Sequence, residues 1–330
     1  MSGEGVSLRT SLAWSENPLK TALLSKQAGI PRLNLFLALS RTPHLLLDLA
    51  TPGLAALLCL GAFPPAGVLA LGLATAFAGY TAVYALNDII DRRVDQETIQ
   101  PNALPEAKRD LDSVFVRHPL AQGLLSYREA IFWTATWAST ALAGAFLLNP
   151  VCSVIFLLAS LMEVIYCGLL KITWLRSVIS GFVKTSGPIA AVFAVNPDPP
   201  LSFLAILFLW LFFWEIGGQN VPNDLSDLET DRKMEARTVP VRFGARGAVL
   251  IILGSLSIAV AMSLAIFFVS PGRPGWLYAA GALFSGFYFL LVPCYRLCRT
   301  GAADEAFHLF NRASYYPLSM LLVTILSWAT

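Results

Sequence analysis

Charge is what this chain has least of. Only 13% of its 330 residues are Asp, Glu, Lys or Arg, against about 25% in a soluble domain. Hydrophobic residues make up 56%. That balance excludes an ordinary water-soluble fold and places the outer surface in lipid. Backbone polar groups in hydrocarbon must then be satisfied internally, and apolar runs this long mean helices, not a barrel. The net charge of +2 implies no nucleic-acid partner. No Ser-His-Asp, Cys-His or zinc-ligand pattern is present, and no Walker A or G-x-G-x-x-G loop. The three histidines, His44, His118 and His308, lie far apart in sequence and read as structural or interfacial. The five cysteines (Cys59, Cys152, Cys167, Cys294, Cys298) form no metal or redox pattern and read as small packing residues. The first forty residues lack a continuous apolar h-region, so no cleaved signal peptide is expected. Residues 33–40 read as part of an amphipathic helix along the interface.

A spanning helix needs about 20 mostly apolar residues. Nine such runs are present, near 44–63, 66–90, 129–148, 150–170, 174–195, 200–223, 246–270, 275–297 and 305–328. The expected fold is therefore all-α: a polytopic membrane protein of nine transmembrane helices around a central chamber. Residues 1–43 form an N-terminal cytoplasmic or interfacial segment. Residues 44–330 form the membrane domain, with an insertion loop at 96–116. Charge placement gives the orientation. With the N-terminus in the cytoplasm, all but three of the twenty-three Lys and Arg fall at cytoplasmic segments and their helix ends. The exceptions are Arg273, in an opposite-side loop, and Lys184 and Arg312, within predicted helices.

What is present in place of soluble-enzyme motifs is one acidic signature, written twice. Residues 87–95 read N-D-x-x-D-x-x-x-D through Asn87, Asp88, Asp91 and Asp95. Residues 223–231 repeat it, 136 positions later, through Asn223, Asp224, Asp227 and Asp231. The equal spacing points to an internal duplication. Positions i, i+3 and i+7 share one helix face. Three like charges there, near the negative C-terminal end of a helix dipole, are unfavourable unless they bind cations. Carboxylate-only ligation with open positions suits Mg²⁺, which shares phosphate oxygens with its substrate. The bland alternative is a pair of solvated helix ends, salt-bridged to Arg92, Arg93, Arg232 and Lys233. Two copies with the same spacing on one membrane face weigh against it.

The basic residues Arg117, Arg128, Lys171, Arg176, Arg237 and Arg242 lie on the same predicted side and are suited to diphosphate oxygens. Attraction to anionic lipid is the competing account. Lys184 is different, because a charge within a spanning helix is expensive and usually functional. It faces a cavity or pairs with a buried acid such as Glu163 or Glu215. Tyr84, Tyr166, Trp174, Trp210, Phe213 and Trp214 supply aromatic faces that could stabilise a carbocation or simply anchor the chain at the interface.

These segments resemble the UbiA superfamily of intramembrane prenyltransferases over most of the chain from Arg41 onward. The matches are Arg41-Thr42-Pro43, the Asn87–Asp95 motif, Arg117–Gly123 and Tyr166–Lys171. The block from Asp227 to Asp231 follows, with its tail from Arg237 to Gly244. Two departures stand out. His118 is inserted between Arg117 and Pro119, and Glu235 replaces a glycine usual at that place. The resemblance implies that Asn87, Asp88, Asp91, Asp95, Asp227 and Asp231 bind Mg²⁺-diphosphate, with Asp224 extending the second cluster. It also implies diphosphate contacts from Lys171, Arg237, Arg117 and Asn223.

The expected reaction is Mg²⁺-dependent transfer of a prenyl group from a prenyl diphosphate to a small lipophilic acceptor, an aromatic quinone precursor by family analogy. The expected place is the cytoplasmic face of the membrane, among membrane lipid. A terpene cyclase of the same fold and a polyprenyl-phosphate sugar-phosphate transferase are the enzymatic alternatives. A cation-coupled transporter is the alternative of another class. It is disfavoured because transporters place their acids near the bilayer midplane, whereas here they sit at helix ends.

Overall fold

The computed structural model describes residues 30–98 and 111–328. The first 29 residues and 99–110, the middle of the expected insertion, lie outside the described residues. Those described are helical, with no strand among them.

A short helix α1 (Arg32–Leu39) precedes eight helices long and apolar enough to cross a membrane. These are α2 (Thr42–Leu60), α3 (Ala66–Glu97), α4 (Tyr127–Leu148), α5 (Pro150–Gly168), α6 (Arg176–Val195), α7 (Leu201–Ser226), α9 (Val239–Val269) and α10 (Trp276–Thr300). A short helix α8 (Leu228–Lys233) follows α7. Two further helices, α11 (Ala303–Ser314) and α12 (Tyr316–Leu326), close the chain. The protein is thus an integral membrane protein with the expected all-helical architecture.

The last of the nine expected runs is built differently. The ninth apolar run is not one long helix: it divides at Tyr315. Pro317, in the first turn of α12, has no N–H to continue the hydrogen-bond ladder of α11. Helix α3 runs further than its apolar content predicts, because Asp88 to Glu97 contains neither Gly nor Pro and simply prolongs it. Helix α2 ends at Gly61, whose φ of 70° gives a left-handed cap.

Helix α2 is the most enclosed span, packing against α6 and α12. The main core gathers α2, α7, α9, α10, α11 and α12 around Trp210, Trp214, Tyr278 and Tyr316. Gly217 and Gly218 make this possible, since a Cβ at either would lie within 3.0 Å of Ser255 or Ala313 on a neighbouring helix. Helices α3 to α6 bury less of themselves and form a wall. Helix α1 buries Leu35 and Leu39 against Ala85, Leu120 and Ala130 in a satellite cluster. Between the wall and the core lies a chamber of about 1050 Å³.

Candidate active site

The first signature stays on one helix. Asp88 and Asp95, seven positions apart on α3, line the chamber beside Asn87. Asp91 is turned toward Cys167 of α5. The described segment 111–126 that precedes α4 lines the chamber mouth through Arg117 and His118, the latter held in a left-handed conformation with φ 49°. Its Nδ1 lies 3.2 Å from Asp88 Oδ1 and 2.9 Å from Asp95 Oδ2. Burial pushes the imidazole's pKa down, but hydrogen bonds to both carboxylates outweigh this and raise it to about 9. His118 thus lines the chamber against two acids of the first signature. Its tertiary neighbours come from 23 and 30 positions away, beyond any local pattern.

The second signature does not share one helix face. Helix α7 ends at Ser226, Asp227 has φ −105° and ψ 11°, and α8 begins afresh. The break carries Asp227, Thr230 and Asp231 to the chamber wall with Asn223. Asp231 is fixed by Thr238, whose Oγ1 donates to Oδ2 at 2.9 Å. Asp224 lies behind the lining, with Oδ1 3.8 Å from Arg176 Nη1. Arg176 in turn lies 4.2 Å over the ring of Tyr166, and Asn220 donates to that phenol at 3.1 Å. The two signatures open on one chamber.

Of the basic residues read from the sequence, Arg117 lines the chamber. Burial and the nearby Arg41 lower its pKa, and Asp227 opposes them. Arg41, also in the lining, reaches Asn87 Oδ1 at 3.4 Å. Burial would lower its pKa, but Asp112 and Asp88 more than compensate and raise it. Lys171 and Arg237 stand outside the lining. Lys171 is exposed and pairs with Glu97 at 3.1 Å. Arg237 clamps the 169–173 turn, its backbone N–H on Leu170 O at 2.8 Å and its guanidinium on Ile172 O at 3.3 Å. Glu235 holds φ 58°, a left-handed turn that suits the glycine it replaces.

Deeper in the chamber, Lys184 Nζ donates to Asp48 Oδ2 at 2.6 Å and to Tyr84 OH at 2.9 Å. Tyr84 also donates to Asp48. The partner of Lys184 is thus Asp48, which the sequence reading passed over. An acid six positions into an apolar span was the available signal. Asn87 donates to Glu163 at 2.7 Å. Beyond these groups the wall includes many small residues, among them Gly72, Ala76, Gly79, Ala145, Ala190 and Ala194, which leave room for an apolar chain.

The acidic mouth fits a hard divalent cation. Ligand atoms of Asp88, Asp95 and His118 lie within 4.8 Å of one another. At the mouth, Asp88 Oδ2 is buried with no hydrogen-bond partner. A buried anionic oxygen without a donor is costly unless a cation satisfies it.

The fold is shared with solved proteins. A UbiA homologue from Aeropyrum pernix superposes with a TM-score of 0.69 at 19% identity, covering 86% of this chain and 97% of that one. One from Archaeoglobus fulgidus, bound to GPP and Mg²⁺, gives 0.64 at 16% identity over 88% and 99%. In sequence, protoheme IX farnesyltransferase of Stutzerimonas stutzeri is 26% identical over 86% of this chain and 91% of its own. Digeranylgeranylglyceryl phosphate synthase of Methanococcoides burtonii is 26% identical over 62% and 72%. A model of the UbiA prenyltransferase family matches residues 49–315, and the chain belongs to that family of membrane-embedded enzymes.

Proposed function

We propose that this enzyme transfers a prenyl group from a prenyl diphosphate to a lipophilic acceptor, with Mg²⁺, at the cytoplasmic end of the chamber. One observation carries the reading: two acidic signatures from distant parts of the chain line one mouth above an apolar cavity. Asp88, Asp95, Asp227 and Asp231 would hold the metal, with Asp91 and Asp224 behind them. Asn87 and Asn223 add neutral oxygens. Bound Mg²⁺ would neutralise the charge that develops on the departing diphosphate.

The chain's own residues do the rest. Arg41, Arg117 and His118 face the mouth, and the two guanidinium groups suit diphosphate oxygens. Lys171 and Arg237 act at one remove, by fastening the 169–173 turn and the segment after α8. The apolar chamber receives the prenyl chain and keeps water from the reactive carbon. Tyr80 and Tyr84 present aromatic surface along its path. The chain-wide excess of Lys and Arg on the acidic side supports a cytoplasmic mouth. The A. fulgidus homologue bound to GPP and Mg²⁺ supports the donor class.

Asp88→Ala and Asp227→Ala test the reading in purified protein with a radiolabelled prenyl diphosphate. Each variant should lose Mg²⁺-dependent turnover by at least a hundredfold. Wild-type turnover in both would remove these acids from the site.

A further inference from the structure

Glu215 of α7 lines the chamber and is buried, yet the metal site makes no use of it. It opens a π-helical stretch, Glu215–Asn220. Such insertions often mark functional positions. Ser180 of α6 donates to Glu215 Oε1 at 2.7 Å. Oε2 has no hydrogen-bond partner. An unsatisfied buried acceptor is costly, more so when charged, so a ligand that donates there would relieve a standing penalty.

The cation whose charge acts on Glu215 is already engaged. Lys184 serves Asp48 and Tyr84. Its charge is matched by Asp48, so at this depth the wall presents a carboxylate and no spare cation among the described residues. Glu215 lies nine residues before Asp224 in the same helical run. That is the chamber side of the acidic mouth, the direction in which a prenyl chain would extend from its diphosphate.

If prenyl transfer occurs in this chamber, as proposed above, the acceptor must shed a proton when its nucleophilic atom bonds to the prenyl carbon. We propose that Glu215 takes that proton, and that the acceptor is an uncharged hydroxyl compound whose O–H lies between Glu215 and the Lys184–Asp48–Tyr84 cluster. The hydroxyl proton passes to the Glu215 carboxylate. The electron pair so released forms the new bond to the prenyl carbon, at oxygen or, in a hydroxyarene, at a ring carbon (whose hydrogen then returns to oxygen). The carbon–oxygen bond to the diphosphate breaks, and its pair leaves with the diphosphate.

The test uses the full chain in nanodiscs with Mg²⁺ and geranylgeranyl diphosphate, and methylhydroquinone and 4-hydroxybenzoate as probe acceptors. Wild type should prenylate methylhydroquinone with at least tenfold higher kcat/KM than the charged probe. Glu215→Gln should bind the donor with unchanged Kd but lose kcat by a hundredfold or more, the usual worth of a general base. Formate should restore at least tenfold of the turnover lost in Glu215→Ala, which a packing role would not allow. The proposal falls if Glu215→Gln keeps kcat within threefold of wild type. It falls equally if donor binding and turnover vanish together without formate rescue, or if wild type prefers 4-hydroxybenzoate or prenylates neither probe. A wild-type chain that fails to bind the donor in Mg²⁺ would instead overturn prenyl transfer itself, and the role of Glu215 with it.

Discussion

Lys184 Nζ lies 2.6 Å from Asp48 Oδ2, across 136 positions of sequence. The same offset separates Asn87 from Asn223. Residues of both acidic signatures line the mouth of one chamber. Deeper, the acid of α2 and the base of α6 neutralise each other.

Removing one partner of that pair leaves a buried charge in the membrane. Lys184→Met should destabilise the protein by about 3–5 kcal/mol, whereas Lys184→Met combined with Asp48→Leu should cost much less. Unfolding in a denaturant series compares the two. Equal losses would mean that the ion pair is not the stabilising contact.

The chamber separates residues that the family resemblance groups together. Asp88→Ala should lose at least a hundredfold in kcat/KM. Lys171→Ala and Arg237→Ala should each lose less than tenfold, because Lys171 pairs with exposed Glu97 and Arg237 holds a turn. Steady-state kinetics with a prenyl diphosphate decide it. A loss in Lys171→Ala as deep as in Asp88→Ala would place that ammonium on the substrate.

His118 makes the stability of the metal-free protein depend on pH. Its pKa rises from 6.5 to about 9 on folding. The contribution is complete below pH 6.5 and fades as pH climbs toward 9, amounting to at most about 3 kcal/mol. The Tm in EDTA should fall across that interval, and His118→Asn should flatten the slope. A parallel slope in the variant would assign the pH dependence to other groups.

Glu235 keeps φ at 58° with a side chain that disfavours it. The left-handed conformation costs roughly 1–2 kcal/mol for an L-residue, and glycine's extra unfolded-state freedom returns part of that. Glu235→Gly should therefore raise stability by about 0.5–1 kcal/mol with kcat/KM unchanged. A lower Tm in Glu235→Gly would show that this turn gains more from the side chain than it loses in strain.

The amino-acid sequence by itself determined the membrane setting, the helical class and the eight long spans, because lipid leaves a backbone no other way to satisfy its polar groups. It also marked both acidic signatures, since local spacing on a helix is a local property. It did not mark the division of the last run, because the hydropathy of 305–328 hides the break at Tyr315 before Pro317. Only the tertiary structure decided which charges meet. Asp227 leaves the helical face its spacing predicts, because the chain turns there. His118 joins Asp88 by way of the segment that precedes α4, and Asp48 finds Lys184 through the packing of α2 on α6. Contacts between residues so distant depend on how whole helices pack, and no short-range periodicity encodes that.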